Sequence, residues 1–322
     1  MQRRHLMMTL AAATMAWPLH ALAQSYPDRP IKVLQGFAPG GNADNIARTI
    51  GTEMSKTLGQ NLVVEAQAVA GGTIASNTVA KARPDGYTLL LATGGHAVAG
   101  ALYNNLPYRT VQDFEMVSTI TYFPFLVVVP ANSKYPNLAA LLAAARANPK
   151  EVSYGTAGIG STHHLAGELL ASMSKTPLLH IPFRGDSASL TALLGGEIPM
   201  IIAPPTAVLA NIKAGKLRAI ATTGPQRWQG LPDVPTVAEQ GVAGYDVESW
   251  AGLMAPAGTP RNIIDRLNAE VQKALLVPSV KSRLEEMGGV VRGSTPEEMK
   301  TMVAAQTQKW IQVVNDAKIP KN

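Results

Sequence analysis

Two hydrophobic periods take turns along most of this chain. Short runs such as "IKVLQGF", "NLVVEAQA" and "YTLLLAT" are rich in β-branched and large apolar residues and read as strands. Helical periodicity fills the gaps, near residues 42–58 and in "GGTIASNTVAKARPDG". The long run "MVSTITYFPFLVVVP" is β-rich, and "LAALLAAARANP" is a helix. Alternation then resumes: "VSYGTAG" before "STHHLAGELLASM", "LLHIPF" before "SASLTALLGG", "IPMIIAPP" before "TAVLANIKAGK", and finally "LRAIATT". Such a rhythm predicts an α/β fold of βαβ units, with mostly parallel sheets flanked by helices. The last quarter is helical. Thr259-Pro260 opens a helix with Ile263, Leu267, Val271 and Leu275 on one face. Thr295-Pro296-Glu297-Glu298 is a capping box, followed by a stripe of Met299, Met302, Val303, Trp310, Val313, Val314 and Ala317.

Two extended stretches read as crossings between lobes, "TYFPFLVVVP" around residues 121–130 and "VESWAGLMAPAG" at 247–258. Two crossings divide the chain into lobe 1, residues 24–125 plus 250–322, and lobe 2, residues 126–249. A doubly connected pair of α/β lobes has a hinge and a cleft.

The N-terminus changes the compartment. Arg3 and Arg4 precede an apolar stretch from Leu6 to Trp17, and Ala21-Leu22-Ala23 follows. That is the pattern of a cleaved secretory signal over residues 1–23, with Gln24 as the first mature residue. The apolar core is too short and too interrupted by Pro18 and His20 to span a bilayer. Removing the segment takes Arg3 and Arg4 with it and lowers the net charge from +6 to +4. A mild positive field suits an anionic small molecule. Without Lys/Arg clusters there is no case for nucleic acid. The chain has no cysteine, which excludes disulfides, thiolate nucleophiles and Cys-ligated metal.

The chemistry-bearing segments are corners between a strand and a helix. In "FAPGGNADNIAR", Gly40 and Gly41 let the backbone turn, Asn42 is placed to cap the helix, and Asp44 faces its dipole. A helix N-terminus there presents unpaired N–H groups to an anion without any basic side chain. The same corner binding nothing is an ordinary tight turn. The logic recurs in "LATGGHAVAGALY" (Thr93, Gly94, Gly95, His96), in "YGTAGIGSTHHLAGE" (Gly158, Gly160, Ser161, Thr162) and in "PFRGDSASL" (Arg184). Drawn from both lobes, these corners would offer many N–H and O–H donors to a carboxylate at the ends of the strands.

Enzymatic motifs fare worse. Gly185-Asp186-Ser187-Ala188-Ser189 lacks the last glycine of a nucleophile elbow, and no P-loop is present. Gly158-Ile159-Gly160 opens like a dinucleotide fingerprint, but His163 stands where the third glycine belongs. His164 and Glu168 are one helical turn apart and able to share a metal, yet no His-Glu-x-x-His motif or further ligand cluster accompanies them. The expectation is a binding protein, not an enzyme, with no cofactor and no metal. The alternatives are a secreted serine hydrolase using Ser161 or Ser187 with a histidine, and a ligand sensor for a membrane signalling partner.

The ordered set "YPDRPIKVLQGFAPGGNADNIAR", "KARPDGYTLLLAT", "LPY", "VSYGTAGIGSTHHLAGELL", "PFRGDSASLTALLGGEI", "IKAGKLRAIATT" and "WAGLMAPAGTP" resembles the solute-binding receptors of tripartite tricarboxylate transporters, the Bug family. The resemblance covers the whole chain after residue 23. It implies a two-lobed type II periplasmic-binding-protein fold that closes on a small carboxylate and passes it to membrane permease subunits. The family's first loop corresponds to Phe37, Gly40, Gly41, Asn42 and Ala43, and its third-strand loop to Thr93, Gly95 and His96. The second-lobe loop corresponds to Thr156, Gly158, Ser161 and Thr162, with His164 on its helix and Phe183, Arg184 and Gly185 in the next corner. A monomer is expected, with Arg184 as a second anchor and Phe37, Phe123 and Phe125 as apolar wall. Two departures stand out: Pro199 and Ala203 occupy positions where many members carry Asp. An acid lost beside the cleft predicts a di-, keto- or aromatic carboxylate over an amino acid.

Overall fold

A computed structural model describes residues 26–68 and 70–321. The expected signal segment, residues 1–23, lies outside the described residues. The chain first runs through β1 (Ile31–Gln35), α1 (Asn42–Leu58), β2 (Leu62–Ala66), α2 (Thr73–Ala80), β3 (Thr88–Thr93), α3 (Gly94–Leu102) and β4 (Phe114–Pro124). It continues with β5 (Leu126–Pro130), α4 (Leu138–Ala147), β6 (Ser153–Thr156), α5 (Thr162–Met173), β7 (Leu179–Pro182), α6 (Asp186–Leu194), β8 (Met200–Ala203), α7 (Pro205–Lys213) and β9 (Leu217–Thr222). It ends with β10 (Glu248–Pro256), α8 (Arg261–Leu276), α9 (Pro278–Glu286), β11 (Val290–Val291) and α10 (Pro296–Asp316).

These elements form two sheets, ordered β11-β4-β10-β3-β1-β2 and β7-β6-β8-β5-β9, both flanked by helices. The break between them falls where the apolar run "TYFPFLVVVP" is cut at Phe125: β4 belongs to one sheet and β5 to the other. The sheets are mixed, which corrects the expectation of mostly parallel pairing. β1 pairs in parallel with β2 and β3, and β6 with β7 and β8. β10 runs antiparallel to β3 and β4, as does β5 to β8 and β9. The reason is topological. β4 and β9 leave their sheets running with the βαβ strands, so β5 and β10, which enter the other sheet from the crossing, run against the strands they join.

The crossings are tied together at one threonine. Phe125 N–H donates to the Thr223 hydroxyl oxygen at 2.8 Å, that hydroxyl donates to the Val247 carbonyl at 2.7 Å, and Thr223 N–H donates to the Phe125 carbonyl at 3.0 Å. Val247 N–H returns a bond to the Thr223 carbonyl at 2.8 Å. Both passages between the sheets are therefore cross-linked by backbone-scale bonds in a buried place, since Thr223 is fully buried.

The amphipathic patterns bury the faces they predict. α1 packs Ala43, Ile46, Ala47, Ile50, Met54 and Leu58 inward, and α8 packs Ile264, Leu267, Val271, Ala274 and Leu275. On α10 the stripe narrows to Met299, Val303, Trp310 and Val314 as buried residues, while Met302, Val313 and Ala317 pack against the core from its edge. The Thr295 capping box forms as read: its hydroxyl oxygen accepts from Glu298 N–H at 3.1 Å, and the Glu298 carboxylate accepts from Thr295 N–H at 2.8 Å. Among the described residues no helix is long and apolar enough to cross a membrane.

Trp310 is 1% exposed and Leu276, at the end of α8, is 83% exposed, which gives a matched test of where the core lies. Trp310→Ala is expected to cost about 3–5 kcal/mol by urea denaturation, and Leu276→Ala within ~0.5 kcal/mol. Equal losses would contradict this core.

Candidate functional site

The bare corner after β1 is held by a carboxylate of the chain's own. Asp44, on the first turn of α1, is 2% exposed. One of its oxygens accepts from Gly40 N–H at 3.0 Å and from Arg48 Nε at 2.8 Å, and the other faces Gln35 Nε2 at 3.4 Å. Gln35 in turn accepts from Phe37 N–H at 2.7 Å. Burial pushes the Asp44 carboxyl up, but the bonds from Arg48 and Gly40 outweigh it and hold the group below the usual carboxylate range. Gly40 sits at φ 76°, a left-handed conformation that its missing side chain permits.

This corrects two expectations. The N–H of Gly40 is already used by Asp44, and Asn42 does not cap the helix: Gly41 is the N-cap, with no side-chain cap bond. The N–H groups of Asn42 and Ala43 are left without an acceptor among the described residues, because a helix has no carbonyls preceding its first turn.

A second helix start faces the first from the other sheet. Ser161 caps α5, accepting from His164 N–H at 3.3 Å while its hydroxyl donates to the Gly158 carbonyl at 2.7 Å. The next N–H groups, of Thr162 and His163, have no acceptor among the described residues. His163 Nε2 accepts from Ala157 N–H at 2.8 Å, which pins the loop before α5. α6 begins beside it, with Gly185 as N-cap and Asp186 and Ser187 in its first turn.

These helix starts surround one chamber with an empty volume of about 530 Å³, part of it open to solvent. Of the residues expected at the site, Phe37, Gly41, Asn42, Ala43, Thr93, Ser161 and Thr162 line it. Phe123 and Phe125 form apolar wall. Sequence reasoning did not place His163, Asp186, Ser187, Pro204 and Ser249 there. For His163, Asp186 and Ser187 a signal existed, since each falls within two residues of a corner already singled out. Ser249 had none: β10 brings it in from the far end of the chain. An outer chamber of about 580 Å³ shares Phe37, Ala38 and Gly185 with the inner one and adds Gly158, Tyr103, Phe183 and Arg184. Arg184 is exposed there and has no carboxylate partner among the described residues.

The remaining candidates lie behind the wall. His96 is 5% exposed, bonded through Nδ1 to Ser76 Oγ at 3.0 Å and through Nε2 to the Thr110 carbonyl at 2.8 Å, with Tyr108 and Phe114 against its ring. Thr156 pairs its hydroxyl with His180 Nε2 at 2.7 Å and accepts from Gly158 N–H at 3.2 Å. His164 is buried and stacked on His180 with ring centroids 4.2 Å apart. Both residues support the 157–161 loop from beneath. Gly95 faces the carbonyls of Gly160 and Gly71, at a contact between the two halves. Ala203 is fully buried in β8 and packs in a core cluster with Leu126 and Val128, away from both chambers. The acid that the resemblance led one to expect there is therefore not missing from the lining of either chamber.

His164, Glu168 and His180 come close enough to be considered as metal ligands, with one atom of each within 4.8 Å of the others. Their hydrogen bonds argue otherwise. His164 Nδ1 accepts from Gly160 N–H at 3.4 Å, so Nε2 carries the proton and faces Glu168 at 3.9 Å as a donor. Glu168 already accepts from the Tyr154 hydroxyl at 2.7 Å. Nor is a nucleophile assembled: the Ser161 hydroxyl is committed to the Gly158 carbonyl, and among the described residues no histidine ring nitrogen bonds to Ser161 or Ser187.

The two halves meet around Gly94. Its N–H points to Ser249 Oγ at 3.3 Å, and a Cβ built on it would lie 2.7 Å from both Ser249 Oγ and Thr162 Oγ1. Those two hydroxyls are 3.5 Å apart, Ser249 on β10 of the six-stranded sheet and Thr162 at the start of α5, beside the other sheet.

Four matches bear on this arrangement. The model of the tripartite tricarboxylate transporter family receptor matches residues 46–319. The solved periplasmic binding protein BugD is 34% identical, with a TM-score of 0.87 over 92% of this chain and 100% of its own. A protein of R. palustris solved with adipate is 33% identical, with a TM-score of 0.88 over 92% of this chain and 100% of its own. MatC from Rhodopseudomonas palustris, solved with bound malate, is 34% identical, with a TM-score of 0.85 over 90% of this chain and 100% of its own.

Two measurements probe this geometry. Gly94 has an ordinary φ, so Gly94→Val acts through space alone; it should prop the halves apart and weaken ligand binding by about tenfold or more. A radius of gyration that no longer shrinks with ligand would accompany it, and unchanged affinity would contradict the contact. The second concerns pH. Burial pushes His96 down to about 4, against a smaller upward pull from its bond to Thr110, and burial reinforced by His163 pushes His164 down to about 4. Unfolded histidines titrate near 6.5, so between these values the unfolded chain binds more protons. Stability is then full above about pH 6.5 and falls as pH drops toward 4, by up to ~1.4 kcal/mol per pH unit for each histidine. A flat stability profile between pH 7 and 5 in denaturant melts would contradict the burial of both rings.

Proposed function

The chain belongs to the tripartite tricarboxylate transporter receptor family, and from that premise we propose that it is a periplasmic receptor closing two lobes on a small carboxylate and delivering it to membrane permease subunits. The observation that carries this reading is the convergence of α1, from one sheet, with α5 and α6, from the other, on a single chamber. The unpaired N–H groups of Asn42, Ala43, Thr162 and His163 give it a donor-rich, positive lining without a basic side chain. Solved relatives with adipate and malate support a carboxylate as the occupant.

Lobe 1 is assigned residues 24–125 plus 250–322 and lobe 2 residues 126–249. The Phe125–Thr223–Val247 bonds support a hinge at that boundary, since both crossings are joined there. Phe37, Gly41, Asn42, Ala43, Thr93, Ser161 and Thr162 are the binding residues, and Arg184 guards the outer chamber. A periplasmic location accords with BugD, and a cleavable signal over residues 1–23 would supply the export. The relatives solved are binding proteins, and the engaged Ser161 hydroxyl supports binding without turnover here too.

Thermal melts of the chain from Gln24 against mono-, di-, keto-, aromatic and amino carboxylates test the proposal. A ligand at a hundredfold excess over its Kd stabilises the native state by about 2.7 kcal/mol. A clear shift with one carboxylate class, and recovery of that ligand chemically unchanged, is the expected result. Hydrolysis of the recovered ligand, or shifts only with uncharged compounds, would overturn it.

A further inference from the structure

Two oxygens on the chamber wall have nothing to accept from. Asn42 Oδ1 on α1 and Asp186 Oδ1 on α6 are both buried, and no described residue donates to either. For Asp186 the mismatch is local and chemical. His163 Nε2 stands 3.3 Å from Asp186 Oδ1, but that nitrogen already accepts the N–H of Ala157 at 2.8 Å. The proton of the neutral ring is then on Nδ1, and the carboxylate oxygen faces another lone pair. Buried acceptors without donors are uncommon, and at a binding wall they ask for a donor from the ligand.

The rest of the lining has the opposite character. N–H groups at the starts of α1 and α5 are donors, suited to a carboxylate. A carboxylate placed against Asp186 would meet like charge, so the ligand's acid group belongs on the α1 and α5 side. Asn42 and Asp186 come from different sheets, so a donor group accepted by both would bridge the two lobes.

Resting on the receptor reading above, we propose that Asp186, with Asn42 opposite, selects carboxylates that carry a hydrogen-bond donor, a hydroxyl or an ammonium group, beside their acid group. Ala203, one of the two positions where the resemblance led sequence reasoning to expect an acid, is buried in the core; the acid that meets the ligand is Asp186.

Matched series test this by isothermal titration of the chain from Gln24: succinate, malate and aspartate; propionate, lactate and alanine; glutarate, 2-hydroxyglutarate and glutamate. In at least one series the hydroxy or amino acid should bind about tenfold or more tighter than its parent. Which of the two is preferred tells hydroxyl from ammonium. In Asp186→Ala the ratio should fall to about threefold or less while the parent acid binds at least as tightly as before, since a like charge is gone, which also shows that the variant is folded. Asp186→Asn, which retains an acceptor oxygen, should keep part of a hydroxyl preference and little of an ammonium one. Parent acids binding as tightly as their substituted partners, in these series or in the wider carboxylate panel, would overturn the inference and leave the receptor intact. A preference that survives Asp186→Ala would overturn it equally. No binding by any carboxylate would remove the receptor reading and this inference with it.

Discussion

The site depends on amide groups that a helix cannot satisfy from within. α1 and α5 each begin at the chamber with N–H groups that lack acceptors. When the cleft is open, water serves them. When it closes, they are removed from water, and an unmatched buried donor costs about 1–3 kcal/mol. An anion that meets both helix starts at once removes that cost only in the closed state. Its differential affinity for the two states is what shifts the population toward closure. The glycine-rich corner needs no reactive side chain because its backbone is the functional group.

Supporting this are groups that spend their acceptors on the chain's own amides, most of them behind the chamber wall and His163 in it. Asp44 and Gln35 hold the first corner from behind, and His163, Thr156 and His164 hold the second. Each takes up loop amides that would otherwise wander, so that the remaining ones stay aimed inward. Asp44 is the plainest case: a carboxylate inside the protein occupies the Gly40 amide and leaves those of Asn42 and Ala43 for a carboxylate from outside. The close approach at Gly94 lets the halves meet hydroxyl to hydroxyl, and Thr223 ties the crossings about which they would turn.

Much of the fold was legible along the chain because its signals are local. Helical stripes, the Thr295 capping box and the glycine corners each depend on residues within a few positions of one another; the capping box forms as read, and the corners fall where read, although Asn42 does not cap α1 and Asp44 takes the Gly40 amide. Of the expected binding residues, Gly41, Asn42 and Ala43 at the start of α1, Ser161 and Thr162 at the start of α5, and Phe37 and Thr93 at strand ends reach the chamber. His96, Thr156, His164 and Ala203 do not, because one step along a strand or a third of a helical turn points a side chain into the core instead. Nothing in the local pattern tells which step a given residue occupies relative to a cavity that is formed elsewhere.

What the sequence determined by itself is therefore the set of elements and the kind of place where a ligand would meet them: helix starts after strands, with small residues that let the backbone be approached. What only the tertiary structure decided is which of those starts share one chamber, and which oxygens face it without a donor. Ser249 and Gly94 meet across a separation of 155 residues, and Phe125 meets Thr223 across 98. Contacts of that span are chosen by the packing of two whole sheets and by the mixed strand directions that two crossings impose. The same packing puts Ala203 in the core and Asp186 on the wall, a choice that depends on the third dimension because both residues lie at equally ordinary strand and helix ends.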